Sequence, residues 1–74
     1  MSEVAVQSEI TGMVWKVLVA VGEDVVQDQE LIILESMKME IPVVSPVSGT
    51  ILTVNVLEGA PVQEGTTAIT ISVK

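Results

Sequence analysis

Laid over itself with a shift of 37 residues, half its length, the 74-residue chain matches at nine positions without a gap. These are Glu3/Glu40, Val6/Val43, Ser8/Ser45, Gly12/Gly49, Val17/Val54, Val19/Val56, Gly22/Gly59, Val25/Val62 and Ile32/Ile69. Chance matching in a valine-rich chain gives about four. The spacing is ordered as well: in both halves a glycine is followed by valine at +5 and +7, glycine at +10 and valine at +13. Val4/Ile41, Val14/Ile51 and Leu34/Ile71 are conservative pairs in the same register. Two repeats are too few for a stacked solenoid. The expected product is one closed domain over residues 1–74, assembled from 1–37 and 38–74 about a pseudo-two-fold axis.

Fifteen valines and seven isoleucines against a single aromatic residue, Trp15, mean that the core must be aliphatic and β-branched. Such side chains suit a pleated, half-buried surface better than a helix. Each half reads as short strands cut by glycine. Val4 to Ser8 corresponds to Ile41 to Ser45, and Val14 to Val19 to Ile51 to Val56. Short strands end near Val25 and Val62, and the halves close with Leu31 to Glu35 and Ala68 to Val73. Simple alternation puts Trp15, Val17 and Val19 inward and Val14, Lys16 and Leu18 outward. In the second half it puts Leu52, Val54 and Val56 inward, with Thr53 and Asn55 outward. Ile32, Leu34, Ile69, Ile71 and Val73 are further inward positions. No stretch carries a helical period, so the fold class is all-β, a small sandwich or flattened barrel. Glycines 12, 22, 49, 59 and 65 mark turns or close backbone approaches.

The composition removes several functions. Three lysines, no arginine and ten carboxylates give a net charge of −7, the opposite of a nucleic-acid-binding surface or one that seeks anionic membranes. Without cysteine or histidine there are no disulfides, no thiolate or imidazole metal sites, and no Cys–His or Ser–His catalytic pair. The acidic pairs and triplets, Glu23-Asp24 and Asp28-Gln29-Glu30, lack calcium-loop spacing and read as a solvated face. The longest unbroken apolar run is Val17 to Val21, far short of the ~20 residues of a membrane span. The N-terminus has no basic start followed by an apolar stretch, so a cytoplasmic protein is expected. A domain this small leaves little room for an active-site cleft beside its core, which argues against a self-contained enzyme.

One segment breaks the symmetry. Glu35-Ser36-Met37-Lys38-Met39-Glu40 joins the halves with strand candidates directly on either side, so it should form a tight hairpin. The second copy of this turn falls where the chain begins and ends, which puts Lys38 and the termini at different poles. A lone lysine on a turn is ordinarily a solubilising residue. Two methionines flanking it are unusual, because exposed methionine commonly serves adaptable recognition. A tight turn interrupts the pleat, so Met37 and Met39 are not expected to be core residues together; the alternative is that one of them plugs the core at the barrel end.

This segment resembles the attachment motif of biotinyl domains, whose usual core is Ala-Met-Lys-Met or Ser-Met-Lys-Met. The surroundings resemble them too: the Gly22-Glu23-Asp24-Val25 turn, the Leu31-Ile32-Ile33-Leu34 strand, and Pro46-Val47-Ser48-Gly49-Thr50-Ile51 after the hairpin. The likeness runs from about residue 4 to 73 and is greatest to stand-alone, single-domain biotin/lipoyl attachment proteins and to thumbless biotin carboxyl carrier domains. A gapless repeat leaves no room for the inserted thumb loop of some carriers. Glu9-Ile10-Thr11-Gly12 departs from the Pro-x-x-Gly turn often found in related domains. The resemblance implies a flattened barrel-sandwich of two pseudo-two-fold-related four-strand halves with the attachment lysine at a hairpin tip. It implies covalent biotin on Lys38, added by a biotin protein ligase. Met37 and Met39 would be flanking recognition residues, and Glu35, Ser36 and Glu40 the rest of the motif hairpin.

The implied role is a carboxyl carrier with no catalysis of its own, shuttling between biotin carboxylase and carboxyltransferase sites as a monomeric domain. Tethering replaces a bimolecular encounter by an effective concentration. An amine must be neutral to attack an acyl-adenylate, and lysine amines in water are mainly protonated at neutral pH, so the ligase must supply the base or the proton path. Glu35 and Glu40, if close, would favour the charged form. The alternatives are a lipoyl carrier, whose turn usually has Asp before the lysine, and an unmodified β-barrel interaction module with a sticky methionine tip. An enzyme using Lys38 as a Schiff-base nucleophile would need a desolvated pocket, the opposite of a hairpin tip between glutamates. With no Pro/Ala-rich linker before Glu3, a carrier working in trans is expected.

Overall fold

The computed structural model describes residues 2–73. Its eight strands are β1 (Glu3–Gln7), β2 (Gly12–Val17), β3 (Asp24–Val25), β4 (Glu30–Ser36), β5 (Met39–Val44), β6 (Gly49–Val54), β7 (Pro61–Val62) and β8 (Thr67–Val73), with no helix among the described residues. Two four-stranded antiparallel sheets result, ordered β1-β8-β6-β3 and β5-β4-β2-β7. Each strand of the first half has a counterpart about 37 residues on, and the counterpart lies in the other sheet. The all-β sandwich of two four-strand halves expected from the sequence is therefore the observed architecture.

Neither half builds a sheet alone. The outer turns are stapled across: Gly22 donates to the Ile51 carbonyl (2.8 Å) and Ile51 to that of Glu23 (2.9 Å). The mirrored pair is Gly59 to Val14 (2.7 Å) and Val14 to Ala60 (2.9 Å). Ser8 and Ser45, buried and identical in the repeat, direct their hydroxyls to the carbonyls of Ile10 and Val47. A buried hydroxyl left unpaired would be costly; here each is satisfied within its own turn.

The core consists of Val6, Val14, Val19, Val25, Leu31, Ile32, Leu34, Ile51, Val56, Val62, Ala68, Ile69 and Ile71. All but Val6 fall into symmetry pairs, and none is aromatic, as the composition requires. Ile32, Leu34, Ile69 and Ile71 face inward as expected, with Val73 half-buried beside them.

Simple alternation fails at two matching places. Val14 pairs with Leu34 and Lys16 with Ile33, so Trp15 is an extra residue on β2; Ile51 pairs with Ile71 and Thr53 with Thr70, so Leu52 is extra on β6. A β-bulge of this kind resets which face a strand presents. Val14 and Ile51 are consequently each 1% exposed, whereas Trp15 (44%) and Leu52 (37%) face solvent. This reverses the expected orientation of Val14, Trp15 and Leu52. Past the bulge, alternation resumes: Val17 and Val54 are half-buried, Val19 and Val56 buried, and Lys16, Leu18, Thr53 and Asn55 exposed. The indole of Trp15 is not left bare, since Lys16 Nζ lies 5.3 Å from its ring centroid, within cation–π range.

The bulge makes a sharp prediction about neighbours in sequence. Ile51→Ala should lose about 2–5 kcal/mol through the cavity it leaves, and Leu52→Ala under about 1 kcal/mol. Urea denaturation of the two variants checks this. Equal losses would mean that Leu52, too, is a core residue.

Candidate functional site

The segment that broke the sequence symmetry is the hairpin between β4 and β5. Glu35 pairs with Glu40 and Ser36 with Met39, leaving Met37 and Lys38 as a two-residue loop. Both have positive φ, 52° and 66°, as a type I′ turn requires, because only that twist matches the flanking strands. Such turns favour Asn-Gly; a methionine followed by a lysine is held in a region that costs an L-residue roughly 1–2 kcal/mol. Backbone strain of this kind clusters at functional sites.

The turn aims its side chains into solvent. Met37 is 92% and Met39 64% exposed, and Lys38, Glu35 and Glu40 are exposed as well. Neither methionine plugs the core. The two glutamates are direct cross-strand partners, an arrangement that disfavours a sheet by like-charge repulsion. The hairpin brings together all six residues that the sequence singled out, Glu35 to Glu40, and supplies no desolvated pocket for a nucleophilic lysine. The depression between edge strands β1 and β5 contains one hydroxyl residue, Ser8, whose hydroxyl donates to the Ile10 carbonyl at 2.6 Å.

The base of the hairpin is fixed by residues that the motif does not contain. A Cβ on Gly12 would lie 2.6 Å from the Glu35 carbonyl oxygen. Only glycine lets β2 run this close to the end of β4. Its repeat partner Gly49 meets the Ser72 carbonyl in the same way. Ser36 Oγ reaches the Thr11 carbonyl at 3.4 Å, and Thr11 Oγ1 accepts from the Glu64 amide at 3.0 Å. Met13 then pairs with Glu35. The sequence reading missed Thr11, Met13 and Glu64 as hairpin supports. The glycine shared by both repeats, at the start of the strand that flanks β4, was the signal that could have found them.

Comparison with known proteins gives a consistent picture. A family model described as biotin-requiring enzyme matches residues 2–71. A biotin/lipoyl attachment protein of Bacillus subtilis (strain 168) is 43% identical over 67 residues, spanning 90% of this chain and 92% of that protein. A biotin carboxyl carrier protein of Streptococcus mutans is 44% identical over 61 residues, 82% of this chain but 47% of the longer relative. Among solved structures, urea carboxylase of Kluyveromyces lactis superposes with a TM-score of 0.90 at 32% identity, over 97% of this chain and 6% of that one.

The strained turn carries its own test. Met37→Asn keeps the side chain exposed and suits the left-handed backbone, so it should raise stability by about 0.5–1 kcal/mol. Thermal denaturation checks this; an unchanged or lowered melting temperature would mean that the turn holds no such strain.

Proposed function

Because the chain belongs to the biotin-requiring enzyme family, we propose that it is a biotin carboxyl carrier with the cofactor in amide linkage on Lys38. The observation that carries this reading is the position of Lys38: second residue of a two-residue turn, exposed, between two exposed methionines. No part of the protein has to move for the amine to take an acyl group. Residues 1–74 act as one attachment domain.

Bound biotin supplies a ureido nitrogen that carries a carboxyl group from one active site to another. The chain's own part is geometric. Lys38 Nζ gives up a proton and takes the acyl group as adenylate leaves. The sheet-borne hairpin then presents the tethered group at a fixed height above the domain, where tethering keeps its effective concentration high. Glu35 and Glu40 face one another across the strands beneath the tip, and the base that takes the proton is the ligase's own. Met37 and Met39 offer soft, adaptable contacts to whichever active site receives the tip. The partners are a biotin protein ligase and the biotin carboxylase and carboxyltransferase components of a carboxylase. The relatives named as carboxylases and carboxyl carriers support the carboxylase partners, and Met37 ahead of Lys38 favours biotin over lipoate. No helix among the described residues is long and apolar enough to cross a membrane, and a monomeric carrier working in the cytoplasm fits the acidic surface.

Intact-mass measurement of the protein from its native host decides the group carried. An added biotin amide is expected; a lipoyl amide would assign the alternative cofactor, and an unmodified mass would favour a bare interaction module. Lys38→Arg should abolish labelling with a shift in stability within about 0.5 kcal/mol, and streptavidin detection of that variant would overturn the site.

Register offers a stricter check. Combining Met37→Lys with Lys38→Met keeps composition and charge but moves the amine by about one residue spacing, ~3.3–3.8 Å. Misplacement of about 1 Å can cost a hundredfold in a positioned reaction, so labelling should fall to a trace, while Met37→Leu should label nearly as fast as the parent. Labelling time courses with one ligase compare them. Equal rates for the exchanged protein would mean that Lys38 is recognised merely as an accessible amine.

A further inference from the structure

The internal repeat gives this protein a built-in control: every position on the outer face of one sheet has a counterpart on the other, and only one face adjoins the Lys38 hairpin. The row nearest the hairpin runs Pro61–Met13–Glu35–Glu40 across β7, β2, β4 and β5. Its counterpart runs Asp24–Thr50–Ser72–Glu3 across β3, β6, β8 and β1. The next outer row is Lys16–Ile33–Pro42, with Trp15 added by the bulge; its counterpart is Thr53–Thr70–Ala5, with Leu52. The second face is mainly polar, with Thr50, Thr53, Thr70, Ser72, Asp24 and Glu3, and Leu52 is its one large exposed apolar side chain in these rows. The hairpin face has Met13 and Ile33 in place of Thr50 and Thr70, and Trp15, the only aromatic residue of the chain, in place of Leu52. Met13 is 48% exposed, Trp15 44% and Val44 42%, and Val44 stands where the other half has Gln7.

Strand pairing does not require this difference, because the opposite face keeps the same register without those residues. The Trp15 bulge is also held more firmly than its twin. The Val17 amide beyond it donates to the Glu58 carboxylate at 2.9 Å, and the matching position in the first half is Val21, which has no acceptor side chain. Tryptophan and methionine are enriched in recognition surfaces, and a tryptophan held in place is a common energetic anchor.

We infer that the outer face of the β5-β4-β2-β7 sheet, centred on Trp15 and Met13, is the docking surface for the biotin protein ligase. This rests on the assignment of Lys38 as the attachment site. Two arguments select the ligase over a carboxylase subunit. The ligase must reach a bare amine, whose only tether is a four-carbon stem, so its body has to press against the carrier. A carboxylase meets the same lysine after biotin has lengthened the arm and can act from further off. A specific interface engages about 20–30 residues a side, more than the six of Glu35 to Glu40. The ligase footprint must therefore spread from the tip, and the surface continuous with β4 and β5 is this face.

The test measures ligase kinetics with the carrier as the varied substrate, using the full chain, biotin and ATP. Met13→Thr combined with Trp15→Leu gives the hairpin face the residues of its counterpart. KM for the carrier should rise at least about tenfold with kcat within twofold of the parent, since Lys38 and its turn are untouched and the strand pairing by which Met13 supports the hairpin at Glu35 is kept by threonine. Thr50→Ala combined with Leu52→Ala on the opposite face should leave KM unchanged. Circular dichroism melts verify folding; should the first pair unfold, Met13→Thr and Ile33→Thr, each made singly, provide the same reading with smaller rises. An unchanged KM in folded variants overturns the inference. So does a normal ligase KM with weakened carboxylation of the pre-biotinylated variant by a biotin carboxylase, which would give the face to that enzyme instead. Failure of the parent to be labelled at Lys38 would overturn the attachment site itself, a result distinguishable from either.

Discussion

Hydrogen bonds that pass between the two halves of the chain are the constraint on which the rest of this structure depends. Gly22 reaches Ile51 and Gly59 reaches Val14. Each sheet takes two strands from each half, so no half can satisfy its backbone groups by itself. Buried N–H and C=O groups must be paired, and the cheapest way for two similar sequences to pair them is to interlock. The symmetric core follows from that interlocking, as Val14 meets the place of Ile51, Leu34 that of Ile71, and Leu31 that of Ala68. It also leaves the hairpin between β4 and β5 as the single connection between halves, anchored on both sides by strands and free only at its tip.

That anchoring explains how so small a protein can position one amine. Lys38 sits in a turn whose length is set by the pairing of Ser36 with Met39 and whose base is closed by Gly12 against Glu35. With both loop residues in the left-handed region, the tip is a strained two-residue turn, not a flexible loop. The cost falls on the turn proposed as the attachment site, and such a site gains from being fixed. A carrier needs no cleft and no catalytic group. It needs one nucleophile held clear of the body in a reproducible direction, and stiff strands beneath it.

The same symmetry separates what the fold requires from what function has added. Ser8/Ser45, Gly12/Gly49 and Val19/Val56 are shared because the architecture uses each twice. Met13/Thr50, Trp15/Leu52 and Ile33/Thr70 differ on exposed faces, where packing has little to say. A face that has methionine, tryptophan and isoleucine where its twin has threonine, leucine and threonine is a surface that folding alone does not account for.

Much of this was legible in the chain itself. The 37-residue repeat, the β-branched composition, the strand positions, the absence of an aromatic core and the exposed Met37-Lys38-Met39 tip all follow from residue order, since each depends on local propensity or on spacing along one strand. The orientation of Val14, Trp15 and Leu52 does not. A bulge is created by the partner strand, when Leu34 and Ile33 face Val14 and Lys16 and leave Trp15 over. Alternation read along a single strand contains no trace of that extra residue. The supporting role of Thr11 and Glu64 was hidden for the same reason, because their contacts join segments that are distant in sequence. Residue order fixed which segments become strands and where the tip lies; only the pairing of strands decided which side chains the core keeps and which the surface presents.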